Sequence, residues 1–276
     1  KRMLFSGTIE SNIKYGDDAM SDEEMVRAAV AKGFDAIGFS DHGPITVDCA
    51  CNMRAEDFAA YRDEVRRLQT LFRGQIDVLF GLECDWLKGI QPMSFYDAFE
   101  TDYRIGSVHF LCFDGEAAAV DFSAESQERM VTSQFNGDWE AFVLDYYRNV
   151  EAMTAAGGFE ILGHLDLVRK FNEGGRLYSE KAAAFNTAVA RILEAAADNR
   201  IAVEVNTGAV GRGWRSSPYP AFWILKECRR RHLPVVLNSD AHTPDGLDAF
   251  YPQALDLLRE AGYDGEPTGL LRLFKR

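Results

Sequence analysis

Two patterns alternate along the chain. Short apolar runs occur at residues 3–5, 35–40, 76–83, 103–109, 159–164, 201–206 and 234–238, and their length and β-branched or aromatic content mark them as buried strands. Segments with apolar residues at i, i+3 and i+4 occur at 21–32, 55–73, 138–156, 179–198, 219–231 and 247–262, the spacing of one helix face. The helix at 21–32 has a capping box, Ser21-x-x-Glu24, and Gly33 closes it. Strand followed by helix, repeated, predicts an α/β chain with a mostly parallel sheet covered by helices. No Ser/Pro/Gly-rich linker divides it, so residues 1–276 are expected to form a single domain. Stretches 86–101 and 112–137 break the repeat and read as substrate-facing loops or surface insertions.

Four of the five histidines lie at the ends of apolar runs: His42, His109, His164 and His242. Parallel strands bring their carboxyl ends to one face, where such folds place their active sites. The same ends carry Asp41, Glu83, Glu204, Asn206 and Asp240. A carboxylate ending an apolar run is costly to bury without a cation or donor. A mixed imidazole and carboxylate set of this kind suits Zn, Mn or Fe. Asp41 and Glu204 are candidates for supporting ligands rather than acting as ligands. His232, at a helix end after three arginines, reads as structural.

Composition narrows the choice. The net charge of −13 argues against a nucleic-acid partner, since phosphate backbones are bound largely through Lys and Arg. No apolar stretch approaches the roughly 18 residues that span a bilayer, and no basic-then-apolar leader is evident, so no membrane partner is expected. The five cysteines are odd in number and form no CxxC pair, which fits a reducing, cytoplasmic setting.

Ser40-Asp41-His42-Gly43, Gly81-Leu82-Glu83, Ile105-Gly106-Ser107-Val108-His109, Gly163-His164-Leu165-Asp166, Glu204-Val205-Asn206-Thr207 and Asn238-Ser239-Asp240-Ala241-His242 resemble the successive motifs of the polymerase and histidinol phosphatase (PHP) family, most closely its stand-alone histidinol-phosphatase branch. The resemblance implies a distorted TIM-like (β/α)7 barrel and two or three divalent ions (Mn, Fe or Zn). It implies that Glu83 bridges two ions, with His109 and His164 completing one site. His42 and His242, with an acid from Asp17 or Asp18, would hold another ion, and Asp240 would serve the remaining one. Arg169, Lys170 and Arg212 stand where that branch keeps its phosphate-binding residues.

The chain departs from the family at the opening motif. His-x-His-Ser is expected there, and the sequence has Thr8-Ile9-Glu10-Ser11. Glu10 would leave that position with Glu10, Glu83 and Asp240, an all-carboxylate set suited to harder cations. The expected activity is hydrolysis of a small phosphorylated metabolite, with histidinol phosphate leading by resemblance and Arg169 or Arg212 neutralising developing charge. The alternatives are a degenerate relative acting as a ligand-binding or regulatory module, and a phosphoesterase on another small substrate. The sequence does not fix the oligomeric state.

Overall fold

The computed structural model describes residues 3–6, 21–47, 49 and 52–263, with the backbone alone for 3–6. Thr8, Glu10, Asp17 and Asp18 lie outside the described residues. The strands are β1 (Met3–Ser6), β2 (Ala36–His42), β3 (Asp77–Asp85), β4 (Tyr103–Ser107), β5 (Phe110–Phe113), β6 (Glu116–Ala119), β7 (Ile161–Leu162), β8 (Ala202–Asn206) and β9 (Val235–Asn238). Seven of them form one sheet in the order β1-β2-β3-β4-β7-β8-β9, all parallel, while β5 and β6 form a separate antiparallel hairpin. Because β1 also lies against β9, the sheet curls back on itself. The result is a distorted TIM-like barrel, single-domain and α/β.

The barrel interior is layered along the strand direction. At the amino-terminal side Leu79, Tyr103, Ile105, Ile161, Ala202 and Val236 form a compact apolar plug. Strand side chains repeat every two residues, so the next interior positions are Gly81 and Glu83 on β3, Ser107 on β4, Glu204 and Asn206 on β8, and Asn238 on β9. The interior thus turns from apolar to polar within a few residues. The outer faces pack on helices in a much larger core that includes Phe39, Phe80, Leu82, Val203 and Val205.

Gly81 shows why this inversion is local. A Cβ at Gly81 would lie 2.2 Å from the Tyr103 ring, which crosses the strand there. Tyr103 then donates its hydroxyl to the Phe39 carbonyl at 3.0 Å and roofs the apolar layer.

The helix Asp22–Ala31 begins with the expected reciprocal cap between Ser21 and Glu24. Other boundaries differ from expectation. The run 159–164 gives only a two-residue ladder, since Gly163 still donates to the Gly106 carbonyl at 2.9 Å but the chain then turns into a 3-10 segment at Leu167–Arg169. The run 103–109 leaves the sheet after Ser107, because the next residues feed the hairpin. The 112–137 excursion holds most of that hairpin, turned at Asp114 and Gly115 with φ of 50° and 86°, and a capped helix, Ala124–Phe135. No helix among the described residues is long and apolar enough to cross a membrane.

Candidate metal centre

Glu83 leaves the plug on β3 and meets three imidazoles from neighbouring strand ends. Its Oε1 is 3.2 Å from His164 Nε2 and 3.7 Å from His109 Nε2, and its Oε2 is 3.8 Å from His42 Nε2. The two facing nitrogens His109 Nε2 and His164 Nε2 are 3.1 Å apart. Ser107 donates to Glu83 Oε1 at 2.6 Å and fixes the carboxylate from β4. Gly163 makes room for that contact, since a Cβ there would fall 2.3 Å from Ser107 Oγ.

Asp85, two residues past Glu83 and fully buried, sets the direction of two of the rings. Its Oδ1 is 2.6 Å from His109 Nδ1 and its Oδ2 is 3.2 Å from His42 Nδ1. Asn52 donates to Oδ2 at 2.6 Å, and the Asp85 backbone N–H donates to the Tyr96 hydroxyl at 3.0 Å. Burial works against the Asp85 charge, but the imidazoles of His109 and His42 outweigh it and hold the carboxyl far below the usual carboxylate range. An ionised carboxylate only accepts, so both rings donate through Nδ1 and keep Nε2 turned toward Glu83.

The local field favours positive charge. Burial pushes the His42 imidazolium down, yet Glu83 and Asp85 raise its pKa well above the ordinary value. His164 is likewise opposed by burial but lifted by Glu83 to about 9. Glu83, against its own burial, is lowered by His42, His164 and His109 to about 2. A field that holds protons on imidazoles also favours a cation in their place. Ligand atoms of His42, Glu83 and His109 all lie within 4.8 Å of one another, close enough to share one ion. The residues present therefore fit a divalent metal, and nitrogen-rich donors of this kind suit Zn, Mn or Fe.

Glu204 is also buried at this face. It accepts from the His164 backbone N–H at 2.7 Å and from the side-chain amides of Asn206 and Asn238. Burial raises its pKa. It thus braces the strand end that carries His164. Asp41 is buried too, but strand parity puts it on the face of Ile37 and Phe39, opposite His42, and its backbone N–H donates to the Tyr61 hydroxyl at 3.4 Å.

The other half of the site is looser. Asp240, in the left-handed region at φ 48°, faces His242 Nε2 at 3.5 Å from Oδ1. Arg212 reaches back from the end of the turn Gly208–Gly211, donating to Asp240 Oδ2 at 2.8 Å and to its carbonyl at 2.7 Å. A Cβ at Gly208 would lie 2.8 Å from Asp240 Oδ2, so glycine is needed for that approach. Burial opposes the Asp240 charge, but Arg212 and His242 keep its pKa well below the usual value.

A cavity of about 470 Å³ opens over both halves, lined among others by His42, Glu83, His109, His164, Lys170, Arg212, Asp240 and His242. Arg169 does not line it. The Arg169 side chain is buried and donates to Asp166 at 2.7 Å and to Glu180 at 2.7 Å, which commits it to structural pairing. Arg169, expected from the sequence to contact phosphate, is held by these two acids beside the cavity. Lys170 does face the cavity, donating to the Asp121 carbonyl at 2.8 Å and to its Oδ2 at 3.0 Å.

Sequence reasoning missed Asp85, Ser107 and Asn52. The signal for Asp85 was available, because Glu83-x-Asp85 places both acids on one side of a strand. Asn52 lies on a loop, and nothing in the sequence joins it to β3.

A curled parallel sheet with imidazoles and carboxylates converging at its carboxyl ends defines a class, the α/β barrel with a metal-binding top face. The PHP domain matches residues 9–208, and the chain belongs to that family. It is 32% identical over 249 residues to a protein of Deinococcus radiodurans named "Probable histidinol-phosphatase", covering 87% of this chain and 86% of the relative. It is 26% identical over 249 residues to the histidinol-phosphatase of Bacillus subtilis, covering 84% and 91%. Two solved structures share the fold. One, from Listeria monocytogenes and assigned as a histidinol phosphatase, superposes with a TM-score of 0.78 at 23% identity over 92% of this chain and 99% of that one. The other, histidinol phosphate phosphatase of Lactococcus lactis with zinc, L-histidinol and phosphate, gives 0.62 at 20% identity over 96% and 95%.

Proposed function

We propose that the chain is a metal-dependent phosphomonoesterase that hydrolyses L-histidinol phosphate to L-histidinol and phosphate. The observation that carries this reading is the convergence of Glu83 with His42, His109 and His164 beneath one ligand-sized cavity. The relatives named for the same activity support the choice of substrate.

By resemblance Glu83 would bridge two divalent ions, with His109 and His164 on one and His42 and His242 on the other while Asp240 serves a third, although the spacing of His42, Glu83 and His109 also suits a single shared ion. Glu10, Asp17 and Asp18 would add oxygens from the segment outside the described residues. Two or three ions of Zn, Mn or Fe are expected, and zinc is the metal in the Lactococcus lactis structure. Bound there, the cations supply an activated water and neutralise phosphoryl oxygens. The chain's own residues do the rest. Ser107 and Asp85 hold Glu83 and two imidazoles in register before substrate arrives. Arg212, hinged on Asp240, offers a guanidinium to the phosphoryl group, and Lys170, beside Trp214, adds positive charge to the cavity. The mostly buried cluster limits water to the cavity mouth. The substrate is a small metabolite, and a cytoplasmic setting agrees with the free Cys84, Cys112 and Cys228 among the described residues.

The replacement of the opening histidines by Thr8 and Glu10 favours a second reading, a PHP-fold ligand-binding module without turnover. Phosphate release from L-histidinol phosphate, with Mn, Fe and Zn supplied in turn, separates the two. Turnover above background that disappears in Glu83→Ala supports the phosphatase. Tight binding of L-histidinol phosphate without any release would replace it with the module. Metal content that stays the same in a His109→Ala, His164→Ala double variant would overturn the assignment of the cluster.

A further inference from the structure

Two large aromatic side chains on the cavity wall are left in solvent. Phe122 is 78% exposed and Trp214 is 53% exposed, and both line the cavity over the cluster. They come from distant segments: Phe122 lies between β6 and the helix Ala124–Phe135, and Trp214 follows the turn Gly208–Gly211. Single exposed apolar residues are ordinary, but two rings from separate segments on one concave site are the pattern of a small-molecule pocket.

Asp121, next to Phe122, also lines the cavity. Its Oδ2 takes Lys170 Nζ at 3.0 Å, while its Oδ1 has no hydrogen-bond donor among the described residues. The same Lys170 Nζ stands 5.7 Å from the Trp214 ring centroid and 5.6 Å from that of Phe171, and Phe171 meets Trp214 edge to face at 6.1 Å. Lys170 thereby ties the acid to the aromatic wall and holds both in place.

A phosphomonoester must turn its phosphate toward the cluster, so its alcohol portion projects toward this part of the wall. We propose that Asp121, Phe122 and Trp214 form the leaving-group subsite and select an alcohol that carries both an ammonium and a planar ring. Asp121 Oδ1 accepts from the ammonium, and Phe122 and Trp214 cover the ring. The subsite determines specificity and takes no part in bond breaking. It rests on the reading that the substrate is L-histidinol phosphate.

Titration of the metal-loaded protein with L-histidinol, with dissociation constants read by calorimetry and ring contact by tryptophan fluorescence, tests the proposal. Quenching is expected in the wild type and should vanish in Trp214→Phe, which keeps the ring contact and a dissociation constant near that of the wild type. Trp214→Ala should raise that constant on the order of tenfold. Asp121→Asn should raise it similarly for L-histidinol, but much less for 3-(imidazol-4-yl)propan-1-ol, which lacks the amine. Both variants should also lower the preference for L-histidinol phosphate over glycerol phosphate, in kcat/KM, on the order of tenfold. The subsite is overturned if the wild type binds L-histidinol and hydrolyses its phosphate while both variants keep wild-type affinity and preference. A wild type that does neither removes the functional reading, and the subsite with it.

Discussion

The two halves of the site are built on different physical terms. The half formed by Glu83, Asp85, His42, His109 and His164 gathers around two acids inside β3, and its groups are fixed by others: Ser107 on Glu83, Asn52 on Asp85, Glu204 on the backbone of His164. The half formed by Asp240, His242 and Arg212 sits past the strand ends, where the Arg212 side chain is 41% exposed and that of His242 is 40% exposed. The first half is pre-organised and expensive to disturb. Under the proposed function the second would shift when a phosphoryl group arrives, with Arg212 exchanging Asp240 for another anionic partner. The difference teaches that rigidity is placed where charge is to be concentrated, and freedom where substrate has to enter and leave.

The largest effect should come from the centre of the rigid half. Glu83→Ala is expected to reduce kcat on the order of 1,000-fold with a wild-type circular dichroism spectrum, since three imidazoles, two of them buried, lose their common partner. Asp85→Asn should come next. An amide offers one acceptor oxygen and turns an NH2 toward the other imidazole, forcing the wrong tautomer on one ring, so metal affinity measured calorimetrically should fall roughly 10- to 100-fold.

Gly163→Ala sharpens the comparison through packing alone. Its Cβ would meet Ser107 Oγ at 2.3 Å, which should pull Ser107 from Glu83 and cost about 1–3 kcal/mol in denaturant unfolding. Stability of the chelator-treated protein should also follow pH. His164 is raised to about 9, so its contribution is complete below the ordinary histidine value and is lost as pH rises through 9. Glu83 is lowered to about 2, so its contribution is complete above the ordinary glutamate value and is lost as pH falls through 2. A thermal midpoint that is highest between about pH 4.5 and 6.5 and declines toward pH 9 is therefore expected from these two groups. The smallest effect belongs to the loose half: Arg212→Ala should raise KM on the order of tenfold while changing stability by less than about 1 kcal/mol, because its ion pair is partly exposed.

Much of the fold was legible because parallel strands buried on both faces leave continuous apolar runs, and each of the seven expected runs overlaps a strand of the sheet. The histidines at strand ends were legible for the same reason, since parallel strands send like ends to one face. What escaped was whatever depends on the third dimension. Arg169 and Lys170 are sequence neighbours with opposite fates, one buried against Asp166 and Glu180 and the other on the cavity wall, and the 3-10 turn that separates them leaves no periodic trace. The helix Ala124–Phe135 lies in a stretch that reads as a substrate-facing loop or a surface insertion, because only Gln127, Met130 and Val131 of its residues are buried, too narrow an apolar stripe to stand out in a polar stretch. Asp85 is one acid among many in the sequence, and only its parity with Glu83 marks it.

The central claim is that the buried cluster holds the cations on which phosphomonoester hydrolysis depends. Its most direct test is phosphate release from L-histidinol phosphate by protein stripped with chelator and then reloaded with Mn, Fe or Zn, run beside Glu83→Gln. The account predicts that stripping abolishes release, that at least one metal restores it, and that Glu83→Gln stays inactive under every reloading. Release that survives verified metal removal, or that proceeds at the wild-type rate in Glu83→Gln, would contradict it.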